Sequence, residues 1–173
     1  NDPNFDPTYG GKRSVQYLKS LAFVDTNKIG FIGHSLGAEM VYNIAIKDPS
    51  INALVISGFA YRGDASTTIP KNMLMIFGKY DEFRKRMTAT RDFEKEWMNT
   101  SPTRKVFAVQ DPKLGETYGD FEKGTARRVY MPKITHLHQS HSIAAVAEAL
   151  EWMQAALKPS QTYWIASNRQ IWP

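Results

Sequence analysis

The chain has 173 residues, 42% of them hydrophobic and 23% charged, with a net charge of +5 and 0 Cys. That length suits one domain with a sizeable core, and the apolar content excludes wholesale disorder. No apolar run approaches the ~18 residues a membrane-spanning helix needs, and the lack of Cys excludes a disulfide framework and a Cys-ligated zinc site.

Residues 1–10 are polar, with two Pro, and read as a loop rather than a signal peptide. Val15, Leu18, Leu21 and Ala22 recur at helical spacing and predict an amphipathic helix over about 12–22. Lys28 to Ile32 is a short apolar run, read as a buried strand. Ala38, Val41, Tyr42 and Ala45 then mark one face of a helix that ends before Pro49. Ala53–Ser57 is a second strand closed by Gly58, and Asn72–Phe77 a third closed by Gly78. A polar helix carrying Phe83, Met87, Phe93 and Trp97 is predicted over much of 82–99. Its basic cluster, Arg84-Lys85-Arg86, stands among Glu82, Asp92, Glu94 and Glu96. It reads as a solvated face, and without interleaved aromatic residues no nucleic-acid partner is expected. Arg127–Met131 reads as a fourth strand. Ser142 is the expected N-cap of a long helix with Ile143, Val146, Ala147, Leu150 and Leu157 on its buried stripe, stopping before Pro159.

Short strands that are apolar on both faces and alternate with helices predict a three-layer α/β domain. The expectation is a mostly parallel sheet of about four strands with helices on both faces, over residues 1–158. Residues 159–173 form a tail carrying Tyr163, Trp164, Ile165, Ile171 and Trp172. It is expected either to pack on the domain or to meet a membrane in a longer parent protein, the domain itself being soluble.

The chemical signal is Gly33-His34-Ser35-Leu36-Gly37, placed between a predicted strand and a predicted helix. So tight a turn forces strained angles on Ser35, and Gly33 and Gly37 remove side chains that would collide there. The Ser35 hydroxyl is held up at the carboxyl end of the sheet, where the Leu36 N–H and the helix dipole can face an oxyanion. An N-cap serine in a Gly-rich turn is the plainer alternative. A serine nucleophile needs a base, and the base an orienting carboxylate. Asp81 follows the third strand and so shares that carboxyl edge; its plainer role is an N-cap. Asp111 and Asp120 have no apolar strand to deliver them there. Of the 4 His, three lie in Thr135-His136-Leu137-His138-Gln139-Ser140-His141, and any of His136, His138 and His141 could be the base.

Three segments resemble the α/β-hydrolase superfamily, specifically its serine esterase and peptidase-like branch with the dienelactone hydrolase relatives. They are DTNKIGFIGHSLGA (Asp25–Ala38), MLMIFGKYDEF (Met73–Phe83) and THLHQSHSIAAVAEALEWMQAAL (Thr135–Leu157). The resemblance covers roughly Gly11–Leu157. Aligning on Trp152 favours His136 as base over His138 and His141. The resemblance implies a cofactor-free serine hydrolase of ester, thioester or amide bonds, acting on a small-molecule or peptide acyl substrate through an acyl-enzyme. It also implies a partial fold, since the family carries further strands ahead of the nucleophile strand. The chain is therefore expected to be the C-terminal part of a longer enzyme, lacking one oxyanion donor and impaired on its own. An exposed first strand would favour a homodimer through that sheet edge, or a tail folded over it. Residues 105–131 depart from a minimal hydrolase and are expected to form a hairpin or flap near the active-site edge. Two competing readings remain: a hydrolase-fold binding or anchoring module, and a zinc site on His136, His138 and His141, which leaves Ser35 and Asp81 unexplained.

Overall fold

A computed structural model describes residues 5–160. The aromatic residues of the expected tail, from 161 onward, lie outside the described residues. Strands β1 (Ile29–His34), β2 (Ile51–Ser57), β3 (Met73–Ile76) and β4 (Arg127–Tyr130) form one sheet in the order β1-β2-β3-β4. Every neighbouring pair is parallel. All four β3 residues are buried, as are six of the seven in β2, because helices cover both faces. This is the partial α/β-hydrolase fold expected from the sequence.

The helices are α1 (Gly11–Ser20), α2 (Leu36–Ala45), α3 (Arg84–Thr88), α4 (Ser101–Phe107) and α5 (Ile143–Leu157). Strand geometry sends alternate residues to opposite faces, and β1 displays this with two glycines. A Cβ on Gly30 would lie 2.8 Å from Met153 of α5, whereas one on Gly33 would lie 2.4 Å from the Gly37 carbonyl oxygen of α2. The two helices thus flank the sheet from opposite sides and close separate cores. Val41, Leu54, Met75 and Phe77 belong to one; Val55, Leu74, Ile76 and Trp152 belong to the other. Strand β1 is the outer strand next to β2, and Ile32 on it is exposed.

Three expectations change. The helix over 82–99 breaks into α3 and a π-helical turn at Phe93–Trp97. Ala89 adopts φ 56°, Thr88 bonds back to the Arg84 carbonyl, and the Asp92 side chain caps the new turn. The break lets Phe93 stack on Phe77 at 5.1 Å and Trp97 on Phe93 at 4.7 Å. In α5 the buried residues are Ala145, Ala149 and Trp152, while Ile143 is exposed. Small residues let α5 approach the sheet closely, and Trp152 donates from its indole N–H to the Asn72 carbonyl at 2.7 Å. The hairpin expected within residues 105–131 forms, but at the amino end of the sheet and not near the active-site edge. Tyr118 pairs antiparallel with Arg127, and the Gly115 N–H donates to the Val129 carbonyl. The segment runs along β4 and turns at the amino end of the sheet, where the Phe121 carbonyl accepts from Asn72.

Candidate active site

The site grows from the turn between β1 and α2. Ser35 sits at φ 55° and ψ −121°, a conformation L-residues avoid and sustain only where the surroundings enforce it. The enforcement is visible. The Ser35 N–H donates to the Ser57 carbonyl of β2 at 2.8 Å, and α2 begins at once behind it, packed on Gly33. Gly37 differs from Gly33: a Cβ there would meet nothing within 4 Å. The first N–H groups of α2, beginning with Leu36, have no partner inside the helix and carry its positive dipole end.

Asp81 follows β3 on the tight Gly78-Lys79-Tyr80 turn, and His136 follows β4 through Pro132. Both are buried, 4% and 3% exposed. The structure brings the three side chains together. His136 Nε2 lies 2.9 Å from Ser35 Oγ, and His136 Nδ1 lies 2.8 Å from Asp81 Oδ2. A carboxylate only accepts, so His136 donates from Nδ1 and accepts the Ser35 hydroxyl proton at Nε2. The N-cap role weighed for Asp81 is not seen: α3 starts later, at Arg84, with Phe83 as its N-cap, and Asp81 Oδ1 instead accepts the Phe83 N–H within the turn at 2.8 Å.

The remaining candidates separate. His138 is exposed and bonds through Nδ1 to Thr135 Oγ1 at 2.7 Å, and His141 is also exposed. Among the described residues no group of three His, Cys, Asp or Glu draws together to hold a metal. Asp111 pairs with Lys113, and Asp120 caps the turn at Glu122.

His34, flagged only as part of the motif, packs its ring 4.8 Å from that of His136 and donates from Nε2 to the His136 carbonyl at 2.9 Å. Burial pushes its imidazole below the usual histidine range, keeping it neutral. Sequence reasoning assigned no site role to four further neighbours. Glu82 accepts the His136 N–H at 2.9 Å, a bond that holds its carboxyl below the usual carboxylate range. Phe83 meets the His136 ring edge-on at 4.8 Å. Gly58, at φ 61°, leaves room for that ring; a Cβ there would lie 2.8 Å from it. Gln139 is buried against Asp81. The position of Gly58 straight after a strand was its one signal.

A cavity of about 360 Å³ opens in front of Ser35. Phe59, Ala60, Phe83 and Met87 give it apolar walls, and Glu39, Arg62 and Arg86 give it charge. Arg62 pairs with Glu39. Arg86 has no carboxylate partner among the described residues, so the basic cluster of α3 is more than a solvated face: one member lines the cavity.

The family model described as BAAT / Acyl-CoA thioester hydrolase C terminal matches residues 12–113. The chain belongs to that family. The matched stretch of this BAAT / acyl-CoA thioester hydrolase domain holds Ser35 and Asp81 but ends before His136. Membership implies hydrolase activity and agrees with the C-terminal portion of an α/β-hydrolase fold. No curated protein sequence matches the chain. Among the described residues, no helix is long and apolar enough to cross a membrane.

Proposed function

We propose that this domain is a serine hydrolase that cleaves acyl thioesters, and esters of similar shape, through an acyl-enzyme. The observation that carries the reading is the pair of hydrogen bonds joining Ser35, His136 and Asp81 at the mouth of the cavity. Ser35 Oγ bonds to the acyl carbon while His136 Nε2 takes the hydroxyl proton. The carbonyl electron pair moves onto oxygen, facing the Leu36 N–H. Collapse breaks the carbon–sulfur bond, and His136 returns its proton to the departing thiolate. Water then repeats the sequence on the acyl-serine, with His136 accepting its proton and giving it to Ser35 Oγ. Asp81 stays ionised, holds the ring and stabilises the imidazolium.

The thioester preference draws on the family name together with the cavity. Phe59, Phe83 and Met87 suit an acyl chain, and Arg86 suits an anionic leaving group. Leu36 offers an oxyanion N–H, a donor of the kind whose loss in a serine protease costs on the order of 10²–10³ in turnover. The test is hydrolysis of neutral esters and of phosphate-bearing acyl thioesters, with a stoichiometric burst of thiol marking the acyl-enzyme. Ser35→Ala should abolish the burst. Arg86→Glu should raise KM about tenfold for the anionic thioester and leave the neutral ester unchanged. Turnover that survives Ser35→Ala would defeat the proposal.

A further inference from the structure

The buried carboxylate of Asp81 receives more than His136. Its Oδ2 accepts the Gln139 Nε2–H at 2.6 Å as well as the His136 Nδ1–H at 2.8 Å, and its Oδ1 accepts the Phe83 N–H. Gln139 is 2% exposed. Its other end is also engaged: Oε1 accepts from Ser57 Oγ at 3.4 Å. Ser57 is the residue whose carbonyl holds the Ser35 N–H. One amide therefore spans the carboxylate on β3's loop and the end of β2 that supports the nucleophile. The orientation is forced, because only Nε2 can donate to a carboxylate. Gly78 makes the space: a Cβ there would lie 3.2 Å from Gln139 Nε2 and 2.4 Å from the Ile134 carbonyl oxygen.

We propose that Gln139 is a positioning residue, acting through Asp81 to set the orientation and charge of the carboxylate that faces His136. The proposal rests on the serine-hydrolase reading. Burying an amide is costly unless both its ends are satisfied, and an apolar side chain would fill the same space at no such cost. What the amide adds is a second donor on the oxygen that His136 uses. With it, the negative charge of Oδ2 is shared between two N–H groups. Without it, the whole charge bears on the imidazole, which then holds its proton to higher pH. The other groups around the pair are His34 from β1, Glu82 beside Asp81, and His138 and His141 from the turn. They are the same in every variant, so the difference between variants isolates Gln139.

Two substitutions test this: Gln139→Leu removes the donor, and Gln139→Met removes it while keeping the length of the side chain. For both, the acid limb of the pH dependence of kcat should move to higher pH by about one unit. For Gln139→Leu, kcat should fall roughly 10–100-fold with KM unchanged. The downfield proton resonance of the His136 Nδ1–H, read in the protein without substrate, should shift in both. That resonance is independent of turnover. If Ser35→Ala leaves turnover intact, the serine-hydrolase reading fails, while the resonance still decides whether Gln139 tunes the pair. If Gln139→Leu does not fold, the unbranched Gln139→Met decides alone. Unmoved profiles and an unmoved resonance would overturn the proposal.

Discussion

The two glycines of the motif should behave oppositely when each is changed to alanine. At Gly33 the new methyl would lie 2.4 Å from the Gly37 carbonyl oxygen, 2.6 Å from its carbonyl carbon and 2.7 Å from Ala38 Cα. All three are backbone atoms at the start of α2, so no side chain can rotate away; the helix must slide off β1. Overpacking of a tight core costs typically 1–3 kcal/mol, and a backbone neighbour places Gly33→Ala near the upper end, about 3 kcal/mol. At Gly37 nothing lies within 4 Å and φ is ordinary. There alanine only trades a poor helix former for the best one, a gain of up to about 1 kcal/mol, reduced because the site is in the first turn. Thermal unfolding followed by circular dichroism reads the contrast. With about 2–4 °C per kcal/mol at this size, Gly33→Ala should melt roughly 6–12 °C lower and Gly37→Ala no lower than the parent. Equal melting temperatures for the two variants would refute the claim that helix and strand meet at Gly33.

Asp81→Asn should fold but lose turnover by about 10⁴, the scale of the matching change in a serine protease, because the amide favours the wrong imidazole tautomer; a stopped-flow ester assay checks it. Gly58→Ala should also cost activity, since its Cβ would lie 2.8 Å from the His136 ring and alanine is strained at φ 61°; slowed acylation with intact secondary structure is the expected signature. His34 carries a pH dependence of stability. Burial lowers its folded-state value below the ordinary 6.5, so its contribution is complete above about pH 6.5 and is lost as pH falls below that toward the folded value. Denaturant midpoints from pH 8 to 5 should fall less for His34→Gln than for the parent; parallel curves would contradict this.

What the sequence made legible followed from local rules. Alternating apolar runs and helical spacings located every strand of the sheet, and the glycines around Ser35 marked a turn that only a strand-to-helix junction requires. Asp81 and His136 were reachable because each stands just beyond a strand. The aromatic positions Phe93 and Trp97 looked helical with Phe83 and Met87, yet the left-handed turn at Ala89 divides them, and the stack on Phe77 decides their place. The buried stripe of α5 was read from its largest aliphatic residues, whereas the positions the fold buries are Ala145, Ala149 and Trp152. Gln139 and Glu82 carry no local signature. Their partners are 58 and 54 residues away, and only the folded loop brings them to Asp81 and His136.

The central claim is that Ser35 is an activated nucleophile, and covalent labelling tests it most directly. A fluorophosphonate incubated with the folded protein, followed by peptide mass mapping, should leave a single adduct on Ser35. The rate should collapse in His136→Ala and in the denatured chain, while His138→Ala labels like the parent. An adduct elsewhere, or labelling of Ser35 that is equally fast without His136, would contradict the account.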